Sequence, residues 1–272
     1  MSLPRTSTLI AAVQMTSGAD KAENVAHATA LIHRAASRGA SFVGLPENFA
    51  WMGPEAERAQ NAETLEGKTL ATMQALAREL RLTLLAGSVL ESGAPGGRLF
   101  NTSVLFGPDG ARLGVYRKMH LFDVEVGDGQ TYRESAAVAP GTEVVVANTP
   151  LGTVGLSVCY DLRFPELYRK HSEAGAVLLT VPAAFTLATG KDHWEVLLRA
   201  RAIENQAYVV APAQQGRHPK DRMTWGHAMV VDPWGLVTAR ASEGEGLAMA
   251  DFDHALVARI RKTLPALQHR RL

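Results

Sequence analysis

Cys159 is the only cysteine in the sequence, and it stands in LSVCYDLRFPE, where a Val-rich run ends and a segment with helical spacing begins. A thiolate at such a point is a nucleophile. A free thiol ionises near pH ~8.5, so its surroundings must favour the charge. The N–H groups and dipole of a following helix would do that. Two further groups stand at strand ends. Glu47 follows SFVGLP, and Lys118 ends the second strand of a hairpin. Both have apolar neighbours, in LPENF and YRKMHLF. A charge buried among such neighbours needs a partner. What the three share is a position at strand ends, where sites in α/β sheets form. Taken singly, each has a plainer reading: a small buried hydrophobe, a helix cap, a surface charge.

Other chemistries find less support. Cys159 could pair with His120, His171 or His227, but no spacing singles one out. The sequence has no CxxC or HExxH for a metal, no Walker A or GxGxxG after a strand, and no GxSxG elbow. No metal or organic cofactor is implied, because water and acidic, basic and thiol side chains suffice.

These residues must be positioned by alternating strands and helices. In open α/β sheets, sites form beyond the carboxyl ends of strands. TLIAAVQM (8–15) reads as a buried strand, followed by a helix with Val25, Ala28, Ile32 and Ala35 on one stripe. SFVGLP is a strand, 69–81 a helix, and LTLLAGSVL a strand. FNTSVLF and ARLGVYRK flank a Gly-Pro-Asp-Gly turn, the signature of a hairpin. The second half predicts strands near 143–148, 153–158, 176–181, 207–212, 227–232 and 246–252, with helices near 164–174 and 191–205. Segments 91–98, 124–131 and 214–224 read as loose. The tail from Leu256 to Leu272 mixes helical apolar spacing with His-Arg-Arg, and reads equally as a cover for a neighbouring subunit and as a flexible terminus.

The two halves resemble each other. RGASFVGLPENF (38–49) matches AGAVLLTVPAAF (174–185), and NTSVLFGPDGARLG (101–114) matches GHAMVVDPWGLVTA (226–239). This predicts a duplicated βαβ-type unit with two sheets packed together. No Pro/Gly/Ser linker divides the halves, so the expectation is a single domain over 1–272.

Composition fits a soluble globular protein: 272 residues, 46% hydrophobic, net charge +1. That balance leaves no electrostatic footprint for nucleic acid or an anionic membrane. No apolar run approaches the roughly 18 residues of a transmembrane helix. The N-terminus reads as a first strand rather than a signal peptide. A single cysteine predicts a reducing, cytoplasmic setting, which makes the Asn101-Thr102-Ser103 sequon fortuitous.

Three motifs in order, GLPENF, YRKMHLFDVEV and LSVCYDLRFPEL, resemble the nitrilase superfamily of carbon–nitrogen hydrolases over nearly the whole chain. TGKDHWEVLLRARAIENQAYVVAPAQQGRH and WGHAMVVDPWG resemble its branch of deaminated glutathione amidases. The resemblance implies an α/β fold, a four-layer α-β-β-α sandwich of two pseudo-repeated halves, assembled as a homodimer or higher homo-oligomer. It implies a Glu47–Lys118–Cys159 triad and a second carboxylate, Glu134 in YRESAAVAPG, that supports the lysine. The reaction implied is hydrolysis of a small-molecule amide through a thioester, with the oxyanion held by Lys118 and the Tyr160 backbone N–H. Arg163, four residues past Cys159, would share its face if that turn is helical, and would take the substrate's 2-oxo carboxylate. Its plainer reading is an ion pair with Glu166 or Glu173. Phe185 and Thr186, just after a strand, are expected to line the pocket. Three alternatives stay open: an ω-amidase acting on 2-oxoglutaramate, a hydrolase of nitriles or N-carbamoyl compounds, and a non-catalytic scaffold on the same fold.

Overall fold

The computed structural model describes residues 8–125 and 131–271. One sheet of nine strands contains β1 (Thr8–Met15), β2 (Ala40–Gly44), β3 (Thr83–Leu85), β4 (Val89–Glu91), β5 (Phe100–Phe106) and β6 (Arg112–Arg117), all from the first half. A two-stranded hairpin, β7 (Asp123–Glu125) and β8 (Thr131–Arg133), stands apart. The second half builds a six-stranded sheet from β9 (Val146–Thr149), β10 (Gly152–Leu156), β11 (Leu178–Thr180) and β12 (Tyr208–Ala211). Next along the chain, β13 (Ala213–Arg217) and β14 (Met223–Trp225) cross to the first sheet, where β13 pairs with β1. The six-stranded sheet is completed by β15 (Met229–Val231) and β16 (Val237–Arg240). Finally β17 (Gly246–Phe252) returns to the first sheet and runs antiparallel along β1 from Thr8 to Gln14.

Side-chain alternation along β1 shows why the layers stack. Ile10 and Ala12 point into a core shared with Leu156, Leu178 and Val210 of the other sheet. Their neighbours Ala11, Val13 and Met15 point the opposite way, onto helices α1 (Lys21–Ser37) and, past the short α2 (Arg58–Asn61), α3 (Lys68–Leu80). Period-two alternation with both faces apolar makes a strand that is buried on each side. On the far side, α4 (Pro165–Glu173) and α5 (Leu187–Asn205) cover the second sheet through Leu167, Tyr168, Trp194 and Leu198. The result is the four-layer α-β-β-α sandwich.

Four expectations are corrected. LTLLAGSVL is two strands, because Gly87 (φ +41) breaks it where the Leu45 and Pro46 carbonyls press against the backbone. Any Cβ at that position would lie 2.0 Å from the Pro46 oxygen. Helix α5 starts at Leu187, not near 191; Gly190 lies inside it, where any Cβ would run into the Trp225 side chain. Segment 214–224 is largely ordered as the β13–β14 hairpin, whose polar side chains bond inward. The tail is anchored: α6 (His254–Thr263) is followed by Leu264, and Arg261 donates to the Ala176 and Gln206 carbonyls. Of the loose segment 124–131, residues 126–130 lie outside the described residues, as does Leu272.

Candidate active site

Glu47 leaves β2 through Leu45-Pro46, and the next residue, Asn48, has a left-handed backbone (φ 53). Cys159 leaves β10 through Ser157-Val158 and is itself left-handed (φ 48). Non-glycine residues in that region cluster where a backbone is over-determined by its surroundings. Here the Cys159 N–H is held by the Pro182 carbonyl at 2.9 Å. Asp161 fixes the rest of the turn. Its buried carboxylate accepts from the Val158 N–H (2.8 Å), the Tyr116 hydroxyl (2.7 Å) and the His120 N–H (3.1 Å). It thereby ties the cysteine turn to the end of β6, just before Lys118.

Lys118 lies between two carboxylates. Its Nζ is 3.0 Å from Glu47 Oε1 and 2.8 Å from Glu134 Oε2, with Lys118 and Glu47 almost wholly buried. Asn101 Nδ2 donates to both acids, at 2.9 Å and 3.2 Å. The Phe122 N–H donates to Glu134 at 2.7 Å, and the Ala184 N–H donates to Glu47 Oε2 at 2.9 Å. The Cys159 thiol is within hydrogen-bonding reach of the Glu47 carboxylate.

Charges follow from this packing. Burial works to raise the Glu47 pKa, but the Lys118 ammonium, the thiol contact and Arg222 outweigh it and hold the carboxyl below its usual range. Burial works to discharge Lys118, but Glu134 and Glu47 keep it firmly protonated. Burial and the Glu47 charge push the Cys159 thiol well up, with Lys118 opposing. The resting site therefore holds a neutral thiol beside an ionised carboxylate. Of the surroundings expected to favour the thiolate, Lys118 does so, while burial and Glu47 oppose it. The expected helix N-terminus is also absent at the sulfur: Cys159–Arg163 is a 3-10 turn, and α4 begins only at Pro165.

Glu47, Lys118, Glu134, Cys159, Tyr160, Phe185 and Thr186 all line one cavity of about 140 Å³. Arg163 is not among the lining residues. In a turn of three residues, position i+4 points about 120° away from i. The Arg163 guanidinium instead lies over the Phe185 ring (5.2 Å) and the Tyr160 ring (5.9 Å), with Nη1 3.3 Å from His193 Nδ1. The alternative partner Glu173 is engaged by Lys170 and Arg270. Three residues of the site carry no local signal in the sequence. Asn101 stands out only as part of a fortuitous sequon. Asp161 lies inside the cysteine motif with nothing to mark it as buried. Gln214, whose Nε2 donates to the Glu47 carbonyl at 3.0 Å, sat in a segment read as loose.

A thiol, a base and a buried ammonium around one cavity suit attack on a carbonyl-type carbon. The carbon-nitrogen hydrolase family model matches residues 9–262.

The chain belongs to the carbon–nitrogen hydrolase family.

Among relatives of this carbon–nitrogen hydrolase is the deaminated glutathione amidase of Synechocystis, 49% identical over 96% of this chain and 97% of that protein. Human omega-amidase is 38% identical over 98% of this chain and 96% of its own length. The crystal structure of the Caenorhabditis elegans NitFhit protein superposes with a TM-score of 0.91 at 41% identity, covering 97% of this chain and 65% of that longer one. No helix of the described residues is long and apolar enough to cross a membrane.

Proposed function

We propose that this protein is an amidase that hydrolyses deaminated glutathione to 2-oxoglutarate and cysteinyl-glycine through a thioester on Cys159. The observation that carries the chemistry is the convergence of Cys159, Glu47, Lys118 and Glu134 on one cavity. The likeness to the Synechocystis deaminated glutathione amidase supports the substrate.

The geometry gives each group a task. Glu47 takes the thiol proton as sulfur attacks the amide carbon. The negative charge moves to the carbonyl oxygen, stabilised by the Lys118 ammonium and the Tyr160 backbone N–H. Losing one such donor costs about 3–4 kcal/mol of barrier. The C–N bond then breaks as Glu47 hands its proton to the departing nitrogen. Glu47, ionised again, takes a proton from water, which attacks the thioester. Collapse releases the acid and returns the proton to sulfur. Glu134 balances Lys118 so that a buried ammonium persists beside a neutral thiol. Phe185 and Thr186 shape the acyl side. Arg163 fixes the Phe185 and Tyr160 rings rather than touching substrate.

The protein acts as a homo-oligomer in the cytoplasm, where a lone thiol stays reduced. Ile203 packs at Gly235, between Trp234 and Leu236, and all three apolar side chains are exposed.

Omega-amidase activity is the second reading, favoured by the 38% identity to the human omega-amidase. Its substrate, 2-oxoglutaramate, has the same acyl half but releases ammonia. Steady-state kinetics with both substrates decide. The proposal expects a higher kcat/KM for deaminated glutathione; a much higher value for 2-oxoglutaramate overturns it.

A further inference from the structure

One cation on the cavity wall has no task in the proposed reaction. Arg222 lines the cavity beside Tyr132, with its guanidinium carbon 5.9 Å from the ring centroid. Its Nε is buried with no hydrogen-bond partner, and among the described residues no carboxylate pairs with it. Four other wall cations have partners: Lys118 holds Glu47 and Glu134, Arg58 holds Glu55, Arg133 holds Glu125, and Lys220 is also engaged. A buried donor left without an acceptor costs stability, so it points to an acceptor that arrives with a ligand.

The loop that carries Arg222 is braced. The His218 N–H donates to the Arg222 carbonyl at 2.8 Å, and the His218 ring is held by the Ser17 carbonyl (2.8 Å) and the Thr224 hydroxyl (2.7 Å). The charge of Arg222 also reaches Glu47 and helps to hold that carboxyl low. Arg222 and Glu47 line the same cavity, so the cation is within electrostatic reach of the group that protonates the departing nitrogen.

We infer that Arg222 binds the terminal carboxylate of the leaving group, so that the cavity selects amides whose departing amine ends in an acid. This rests on the amidase reading above and deepens it. In cysteinyl-glycine the carboxylate lies two residues beyond the scissile nitrogen, about 7 Å in an extended chain. A guanidinium fork donates two parallel N–H bonds to a carboxylate, and the Tyr132 face holds its plane. 2-Oxoglutaramate releases ammonia and offers Arg222 nothing on that side.

The test measures kcat and KM for deaminated glutathione, for its glycine-carboxamide analogue and for 2-oxoglutaramate, with wild type, Arg222→Met and Arg222→Lys. In Arg222→Met, KM for deaminated glutathione rises at least tenfold. The ratio of its kcat/KM to that of 2-oxoglutaramate falls at least tenfold, and Arg222→Lys recovers part of both. Wild type loses a similar factor on the carboxamide, and Arg222→Met loses little more. An equal fall for both natural substrates in Arg222→Met overturns the assignment, since it marks an acyl-side or structural role. So does a wild type that uses the carboxamide as well as the acid. A wild type that hydrolyses 2-oxoglutaramate but not deaminated glutathione overturns the substrate reading itself, and this inference falls with it.

Discussion

Glu47 Oε2 accepts the backbone N–H of Ala184 at 2.9 Å, joining the two halves of the chain at the reacting centre. In the internal repeat, Ala184 is the counterpart of Asn48, the residue after Glu47. The same strand-Pro-loop unit therefore arrives from both sheets, and one copy supplies the carboxylate while the other supplies the donor that orients it. With Oε1 taken by Lys118 and Asn101, the carboxylate has little freedom to rotate away from the sulfur.

Replacing this carboxylate keeps the shape and removes the base. Glu47→Gln is expected to lower kcat/KM for deaminated glutathione by about 10²–10⁴-fold, the range for a positioned acid–base group. Circular dichroism should stay at the wild-type spectrum. A loss smaller than tenfold places the proton transfer elsewhere.

The neutral resting thiol gives a second expectation. Because burial and Glu47 push the Cys159 pKa well above its ordinary value, alkylation of the free enzyme by iodoacetamide should be slow at neutral pH. It should show no ionisation step between about pH 6 and 9, the window in which an activated thiol would titrate. Glu47→Gln, which removes the negative neighbour, should bring that step down in pH. A wild-type step near neutrality contradicts the assigned charges.

Lys118→Met tests the balance of charges. It leaves the buried Glu47 and the partly buried Glu134 without the ammonium between them, a change that typically costs about 3–5 kcal/mol. The folded-state pKa of the carboxyls then rises, so the variant takes up a proton on folding. Its deficit in urea unfolding should accordingly be smaller at low pH than at high pH. A deficit that does not change with pH means that the lysine's role is packing alone.

Acid stability depends on two buried histidines. His171 is wholly buried with neither ring nitrogen hydrogen-bonded, and burial lowers its pKa to about 4. Burial likewise lowers His218 to about 4. From the ordinary value of 6.5 down to about 4, the unfolded chain binds protons that the folded chain refuses. Stability is therefore full above that window and falls as pH drops through it, by up to about 1.4 kcal/mol per pH unit for each histidine. His171→Phe should flatten part of the slope in a Tm-against-pH series; an unaltered slope removes His171 as its source.

Much of this protein was legible in its sequence because strand alternation and turn chemistry are local. The first and last strands and the β5–β6 hairpin fall where the pattern predicts them. The nucleophile, base and ammonium stood out as charged or reactive residues at strand ends. Local patterns could not show that Asn101 lies between two acids 54 and 33 residues away in the chain. Nor could they show that Cys159 opens a 3-10 turn, which turns Arg163 away from the cavity. Gln214 and Arg222 were hidden for another reason: their polar segment has no apolar period, and its order comes from bonds to Ser17 and Glu47, far away in sequence.

The most direct test is turnover by Cys159→Ala. The thiol fills a small space, so the variant should fold with wild-type circular dichroism and a Tm within a few degrees. Its kcat/KM for deaminated glutathione is predicted to fall at least about 10⁴-fold, since removal of a nucleophile leaves only binding and oxyanion contacts. A folded Cys159→Ala protein that turns over substrate within tenfold of wild type contradicts the account.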